Sequence, residues 1–187
     1  DTCEGERGIE RGNRVLYAPL VWSAKDSGYW EVHPKGAAEL NARFKAVPDV
    51  YYFSWASSKT SPNLLGRHEP RLGIQFYMWD DAYYMGALTR EDDGIVIDRS
   101  WFENDGVVNT RSMDGPKLRS SDTIVPFDGI PRPGVWNYLG VLRNTDHHCS
   151  NGILSDRING IDKLDWYRHE FDRLLALPPR HAPLARE

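Results

Sequence analysis

An α/β fold is what the sequence predicts, and three stretches predict it. Between Pro34 and Pro48, the residues Ala37, Leu40, Asn41, Phe44 and Val47 recur on one face at helical spacing. Directly after them comes Val50-Tyr51-Tyr52-Phe53-Ser54-Trp55-Ala56, a short apolar run rich in β-formers. It lacks polar alternation, as expected of a strand covered on both faces in a parallel sheet. A second run, Val135 to Leu142 (VWNYLGVL), reads as another strand. Helix, short turn and buried strand make half of a repeating α/β unit.

The elements follow in chain order. Pro34 suits the first turn of the first helix, and Pro48 closes it. From Leu72 to Met85 the aromatics Phe76, Tyr77, Trp79, Tyr83 and Tyr84 cluster at spacings that suit a helix. Core packing is the ordinary use of such a stripe, and an apolar wall for an acyl chain is the functional alternative. The strand 135–142 delivers the chain to Asp146 and His147. Last, Ile158, Ile161, Leu164, Tyr167, Phe171, Leu174 and Leu175 form an apolar stripe on a terminal helix, stopped by Pro178-Pro179. Residues 1–18 read as an irregular N-terminal segment, 19–178 as the folded unit and 179–187 as a flexible tail.

Composition excludes several classes of function. With 187 residues, 40% hydrophobic and 27% charged, the chain is long enough to bury a core and is neither disordered nor fibrous. A net charge of −4 without a Lys/Arg block argues against a nucleic-acid partner, because phosphate binding needs a clustered cationic face. No apolar run approaches the roughly 20 residues of a transmembrane helix. No signal peptide is visible. The sequence begins at Asp1 and its first methionine is Met78, as expected of a processed product or a piece of something longer.

The stretch Thr145-Asp146-His147-His148-Cys149 carries Asp-His-His-Cys, the signature of protein palmitoyltransferases. Those enzymes are polytopic and surround the motif with zinc-binding cysteines, whereas this chain has two cysteines in all, Cys3 and Cys149. The match is therefore read as chance. A Cys3–Cys149 disulfide and two thiols are both open readings.

Glu103-Asn104-Asp105-Gly106 is a turn context, in which Asn and Asp bond their own backbone and Gly supplies a positive φ. A carboxylate in such a loop can be presented to a distant histidine. In α/β-hydrolases a nucleophile comes first in the chain, then an Asp or Glu, then a His, the last two on loops beyond strands. Here a loop carboxylate precedes a strand that ends at a histidine.

Longer motifs sharpen that order. ENDGVVNTRSMDGP (Glu103–Pro116), SSDTIVPFDG (Ser120–Gly129), GVWNYLGV (Gly134–Val141) and TDH (Thr145–His147) closely resemble the large secreted lipases of the staphylococcal and thermophilic-bacillus type. Upstream, LVWSAKDSGYWEVHPKGAAELN and VYYFSWASSKTS extend the likeness, which runs from about Pro19 to the terminal helix. The resemblance implies the C-terminal part of an α/β-hydrolase fold, an incomplete and mostly parallel sheet with packing helices. It aligns Asp105 with the acid and His147 with the base of a Ser-Asp-His triad. Asp146 is the rival acid, badly placed to reach the ring of its immediate neighbour. His148 is the rival base, and in an extended segment it would point to the opposite side.

The nucleophile of that triad is not found, since no serine has Gly two residues before and two residues after it. In the family that elbow, the oxyanion hole and the lid precede the region matched here. Cys149 has no elbow and is a poor substitute. The family's structural calcium implies a carboxylate two residues after the histidine, where this chain has Cys149, and Asp156 stands at the wrong spacing. His147, His148 and Cys149 are consecutive, so one tetrahedral ion could hardly use all three. No metal and no cofactor are expected.

The resulting expectation is the C-terminal portion of an extracellular triacylglycerol lipase or carboxylester hydrolase. It would supply acid and base to an N-terminal half that carries the nucleophile, and would be inactive alone. A non-catalytic interaction or lipid-binding module is the alternative.

Overall fold

The structure is a computed structural model and describes Trp30 and residues 33–92, 94–150 and 157–178. The expectations for residues 1–18, for most of 19–32, for Cys3 and for the tail 179–187 lie outside the described residues, as does Asp156.

Its centre is a parallel sheet of three strands, β1 (Tyr52–Ser58), β6 (Ile124–Pro126) and β7 (Trp136–Arg143), in the order β1-β7-β6. The two strands expected from the apolar runs are thus adjacent and parallel. Tyr52 and Trp136 face each other in register with ring centroids 5.1 Å apart, the cross-strand aromatic pairing that stabilises sheets. Asn137 is fully buried, and its side-chain amide donates to the carbonyls of Tyr52 (2.9 Å) and Arg132 (2.8 Å) while its oxygen accepts from Arg132 N–H (3.0 Å). Register runs Ser54 to Tyr138 and then Ala56 to Val141, so β7 carries one extra residue, beside Gly140 at φ +111°. This is a β-bulge.

β1 is not covered on both faces along its length. Tyr52, Phe53 and Trp55 are half-exposed, and burial deepens at the carboxyl end, through Ala56, Ser57 and Ser58 into Lys59 and Thr60. Carboxyl ends of parallel strands are where open α/β sheets place their sites.

The first helix, α1 (Pro34–Arg43), starts with Pro34 in its first turn and with the His33 ring accepting from Lys35 N–H. It ends four residues before Val47. Ala46 N–H is taken instead by the Asp122 carboxylate (3.0 and 3.2 Å), and Phe44 is already extended and 64% exposed. Two antiparallel pairs lie at the sides, β2 (Thr60–Pro62) with β3 (His68–Pro70) and β4 (Arg90–Asp92) with β5 (Ile95–Ile97). Ala38 of α1 packs with Ile95, Ile97 and Trp101 in one buried cluster.

The aromatic stretch is a 3-10 turn (Phe76–Met78) running into α2 (Trp79–Met85). Core packing of its aromatics does not occur here. Ile74, Met78 and Ala82 make the buried cluster, whereas Phe76 is 85% exposed and Tyr77, Trp79 and Tyr83 are also at the surface. At the C-terminus, the expected continuous helix is interrupted. Residues Arg157–Ile158 (β8) and Ile161–Asp162 (β9) form a hairpin whose two-residue turn, Asn159-Gly160, has φ +50° and +81°. Asn-Gly is the favoured pair for such a turn, which a helix cannot contain. The helix begins only at Lys163 and ends at Leu175, capped by Asp162 through Leu164 and Asp165 N–H. α3 (His147–Ser150) is a single turn after β7, and this last helix is α4. Leu164, Phe171, Leu174 and Leu175 of α4 are exposed. No helix among the described residues is long and apolar enough to cross a membrane.

Candidate active site

Asp105 sits in a loop whose backbone is closed by its own side chains. Its Oδ1 accepts from the N–H groups of Val107 (3.0 Å) and Val108 (2.8 Å), and Asn104 Oδ1 accepts from Gly106 N–H (3.0 Å). These are the side-chain-to-backbone bonds that make Asx turns. Asn104 is fully buried and donates to the carbonyls of Ala82 and Phe102, fixing the loop to α2. Gly106 has φ +100°, and a Cβ there would lie 3.0 Å from Met78 Cβ and 3.1 Å from Ile74 Cδ1. Glycine is required on both counts. The loop is held to β1 by Lys59 N–H on Asn104 O (3.0 Å) and by Thr110 Oγ1 on Ser57 O (2.7 Å).

His147 arrives from β7. Thr145 N–H donates to Ser58 O (3.0 Å), and His147 N–H donates to Asp105 O (3.0 Å), so two main-chain bonds stitch the two loops together. The side chains meet as well. His147 Nδ1 lies 3.0 Å from Asp105 Oδ2, with Asp105 fully buried and the His147 side chain 34% exposed. The same Oδ2 accepts a 2.7 Å bond from Ser57 Oγ, at the end of β1. The bond with Asp105 raises the His147 pKa above its ordinary value. Burial pulls it down, and the charges of Asp105 and Asp146 add to the rise.

The other residues singled out from sequence take different places. Asp146 is buried and caps the turn that follows, its Oδ1 accepting from Cys149 N–H (2.8 Å), while Oδ2 has no hydrogen-bond partner. His148 is not in an extended segment, because α3 begins at His147. Its Nδ1 meets Tyr77 Oη instead, and its ring lies 6.1 Å from that of His147. No cluster of three or more His, Cys, Asp or Glu fit to hold a metal occurs among the described residues. Ser57 and Asn104 were not legible as site residues. Their one signal is polarity where it is costly: Ser57 belongs to a Ser-Ser-Lys-Thr run closing an apolar strand, all of it buried.

Comparison with known proteins gives this geometry a context. A family described as lipase-like, C-terminal domain, matches residues 6–176. The lipase of Staphylococcus hyicus is 23% identical over 167 residues, covering 88% of this chain and 25% of that protein. Among solved structures, EstA from Clostridium botulinum superposes with a TM-score of 0.79 at 36% identity, covering 91% of this chain and 39% of that one. Lipase 1 from Pelosinus fermentans gives 0.69 at 34% identity, covering 89% and 43%. The chain therefore spans about a quarter of the staphylococcal protein's length and about two fifths of the solved ones.

Proposed function

Because the chain belongs to the family of lipase-like C-terminal domains, we propose that Asp105 and His147 are the acid and the base of a serine ester hydrolase of the α/β-hydrolase fold. The observation that carries the reading is the 3.0 Å contact between His147 Nδ1 and the fully buried Oδ2 of Asp105. With its proton on Nδ1, the ring offers Nε2 as base. Nε2 takes the proton of a serine hydroxyl as that oxygen attacks the ester carbonyl, then returns it to the departing alcohol. Water repeats the sequence in reverse and frees the acid. Asp105 holds the tautomer and stabilises the imidazolium.

The serine and the oxyanion hole belong, on this reading, to the remaining three fifths of a lipase-sized protein, because no serine here stands in a G-x-S-x-G elbow. The relatives' names support carboxylic esters, triacylglycerols among them, as substrates. An extracellular setting follows from the resemblance to secreted lipases. The reading includes no metal: Cys149 offers a thiol where a hard cation wants oxygen, and its N–H is turned to Asp146. The missing elbow and the exposed apolar residues of α4 favour the second reading, a non-catalytic module.

Two measurements test the proposal. In NMR of this chain, His147 should be the Nδ1–H tautomer at neutral pH and should change to Nε2–H in Asp105→Asn, whose amide would donate rather than accept. Joined to the upstream part of the Clostridium botulinum relative, the chain should hydrolyse a p-nitrophenyl ester and lose about 10³–10⁴-fold on either Asp105→Asn or His147→Ala. Turnover indifferent to both substitutions would refute the assignment.

A further inference from the structure

The oxygen that faces His147 is shared, and the sharing has a consequence for the base. We propose that Ser57 is a positioning residue whose hydroxyl, donated to Asp105 Oδ2, tempers the negative charge which that oxygen offers His147 and keeps the imidazole ready to release its proton. The proposal rests on the reading of Asp105 and His147 as acid and base.

Orientation of the carboxylate does not need Ser57. Oδ1 is already held by two main-chain N–H groups, at 3.0 and 2.8 Å, which fix the carboxylate plane. What remains for Ser57 is electronic. Its Oγ is 2.7 Å from Oδ2, shorter than the 3.0 Å from His147 Nδ1 to the same atom. Ser57 is 3% exposed and Asp105 0%, so little water competes for that oxygen. Hydrogen bonds to an ionised carboxylate are strong, and burial strengthens them. The hydroxyl bond is strongest when His147 is neutral and the carboxylate charge unshared. It therefore favours the neutral ring.

Ser57 is placed by its backbone rather than by its hydroxyl. Its N–H points at Met113 Sδ (3.2 Å), its carbonyl accepts from Thr110 Oγ1 (2.7 Å), and it pairs with Leu142 of β7. Those contacts survive removal of the hydroxyl. The titratable groups around the His147 ring are Asp105 from the acid loop, Asp146 and His148 from its own segment, and Tyr77 behind His148. Ser57→Ala leaves all four unchanged.

The test is an NMR pH titration of His147 in the whole chain, for the parent protein, Ser57→Ala, Ser57→Thr, Ser57→Cys and Asp105→Asn. Ser57→Ala should raise the His147 pKa by about half a unit to one unit, Ser57→Cys by less, and Ser57→Thr should restore the parent value. Asp105→Asn should lower it. An unchanged or lowered value in Ser57→Ala, with the drop in Asp105→Asn intact, overturns the role of Ser57 and leaves the acid–base pairing standing. No drop in Asp105→Asn overturns the pairing itself. A Ser57→Ala protein whose Val107 and Val108 amide signals move as far as those of Asp105→Asn has a displaced carboxylate, and also refutes a purely electronic role. If Ser57→Ala does not fold, Ser57→Cys decides: a value equal to the parent's overturns the proposal.

Discussion

Replacing Gly106 with alanine places one methyl group in the tightest spot of the acid loop. Two independent costs follow. The first is conformational: φ is +100°, in the region where L-residues are strained by about 1–2 kcal/mol. The second is steric. The new Cβ would stand 3.0 Å from Met78 Cβ and 3.1 Å from both Met78 Sδ and Ile74 Cδ1. Those side chains belong to a buried cluster closed by Ala82, so overpacking should add about 1–3 kcal/mol. Together the loss of stability is about 2–5 kcal/mol. Gly94 is the matched control, with φ +73° and nothing within 4 Å of an added Cβ. Its alanine variant should lose only the conformational part, about 1–2 kcal/mol. Urea unfolding of the two variants, followed by tryptophan fluorescence, reads the difference directly. Equal losses would show that the contact of the acid loop with Met78 and Ile74 carries no energy, and would refute the packing argument. In the same Gly106 variant, the NMR signal of His147 Nδ1–H should shift or broaden, because the loop that moves carries its acceptor.

Three further outcomes are expected. The His147 pKa is raised in the folded chain, so the stabilisation it brings is fully present below about pH 6.5 and fades as pH rises through the raised value. His147→Gln should therefore cost more at about pH 5.5 than at about pH 8.5 in urea midpoints, and the opposite order would contradict the pairing. Ile158 is completely buried although its strand has two residues, and Ile158→Ala should destabilise by about 2–5 kcal/mol, against under about 1 kcal/mol for the half-exposed Ile161→Ala. Asn104→Ala leaves Gly106 N–H and two buried carbonyls short of partners and should cost about 2–4 kcal/mol, measured by thermal or urea unfolding.

What sequence could tell about this chain depended on how local the cause was. Runs of β-formers announced β1 and β7, and Pro34 announced the start of α1. The end of α1 was set by Asp122, 76 residues away, taking Ala46 N–H, and no pattern within a helix carries that information. The C-terminal helix is a case of misplaced weight. The apolar stripe extended through Ile158 and Ile161, but the Asn-Gly pair between them was the stronger local signal. Aromatics in the 76–84 stretch suggested core, yet the smaller Ile74, Met78 and Ala82 fill the space beneath Asp105. For the site, Asp105 and His147 were named from turn chemistry, chain order and resemblance, and the structure brings their side chains to 3.0 Å. Ser57 could not be foreseen, because a hydroxyl in a strand declares its partner only once the strand has a register.

That register depends on the extra residue in β7. Before the bulge Phe53 pairs with Asn137, and after it Ser57 pairs with Leu142, so four steps along one strand match five along its neighbour. Side chains alternate across a strand, and an odd count therefore exchanges inside for outside. Asn137 and Leu142, both buried, stand at opposite phases in the numbering and at the same phase in space. Deleting one residue near Gly140 would shorten the chain trivially but invert everything from Val141 onward relative to β1. The imidazole would then be handed to the wrong surface of the sheet, with each loop still intact. A single-residue length change in this strand, far milder in appearance than a substitution at the acid or the base, would separate the two as thoroughly as removing either.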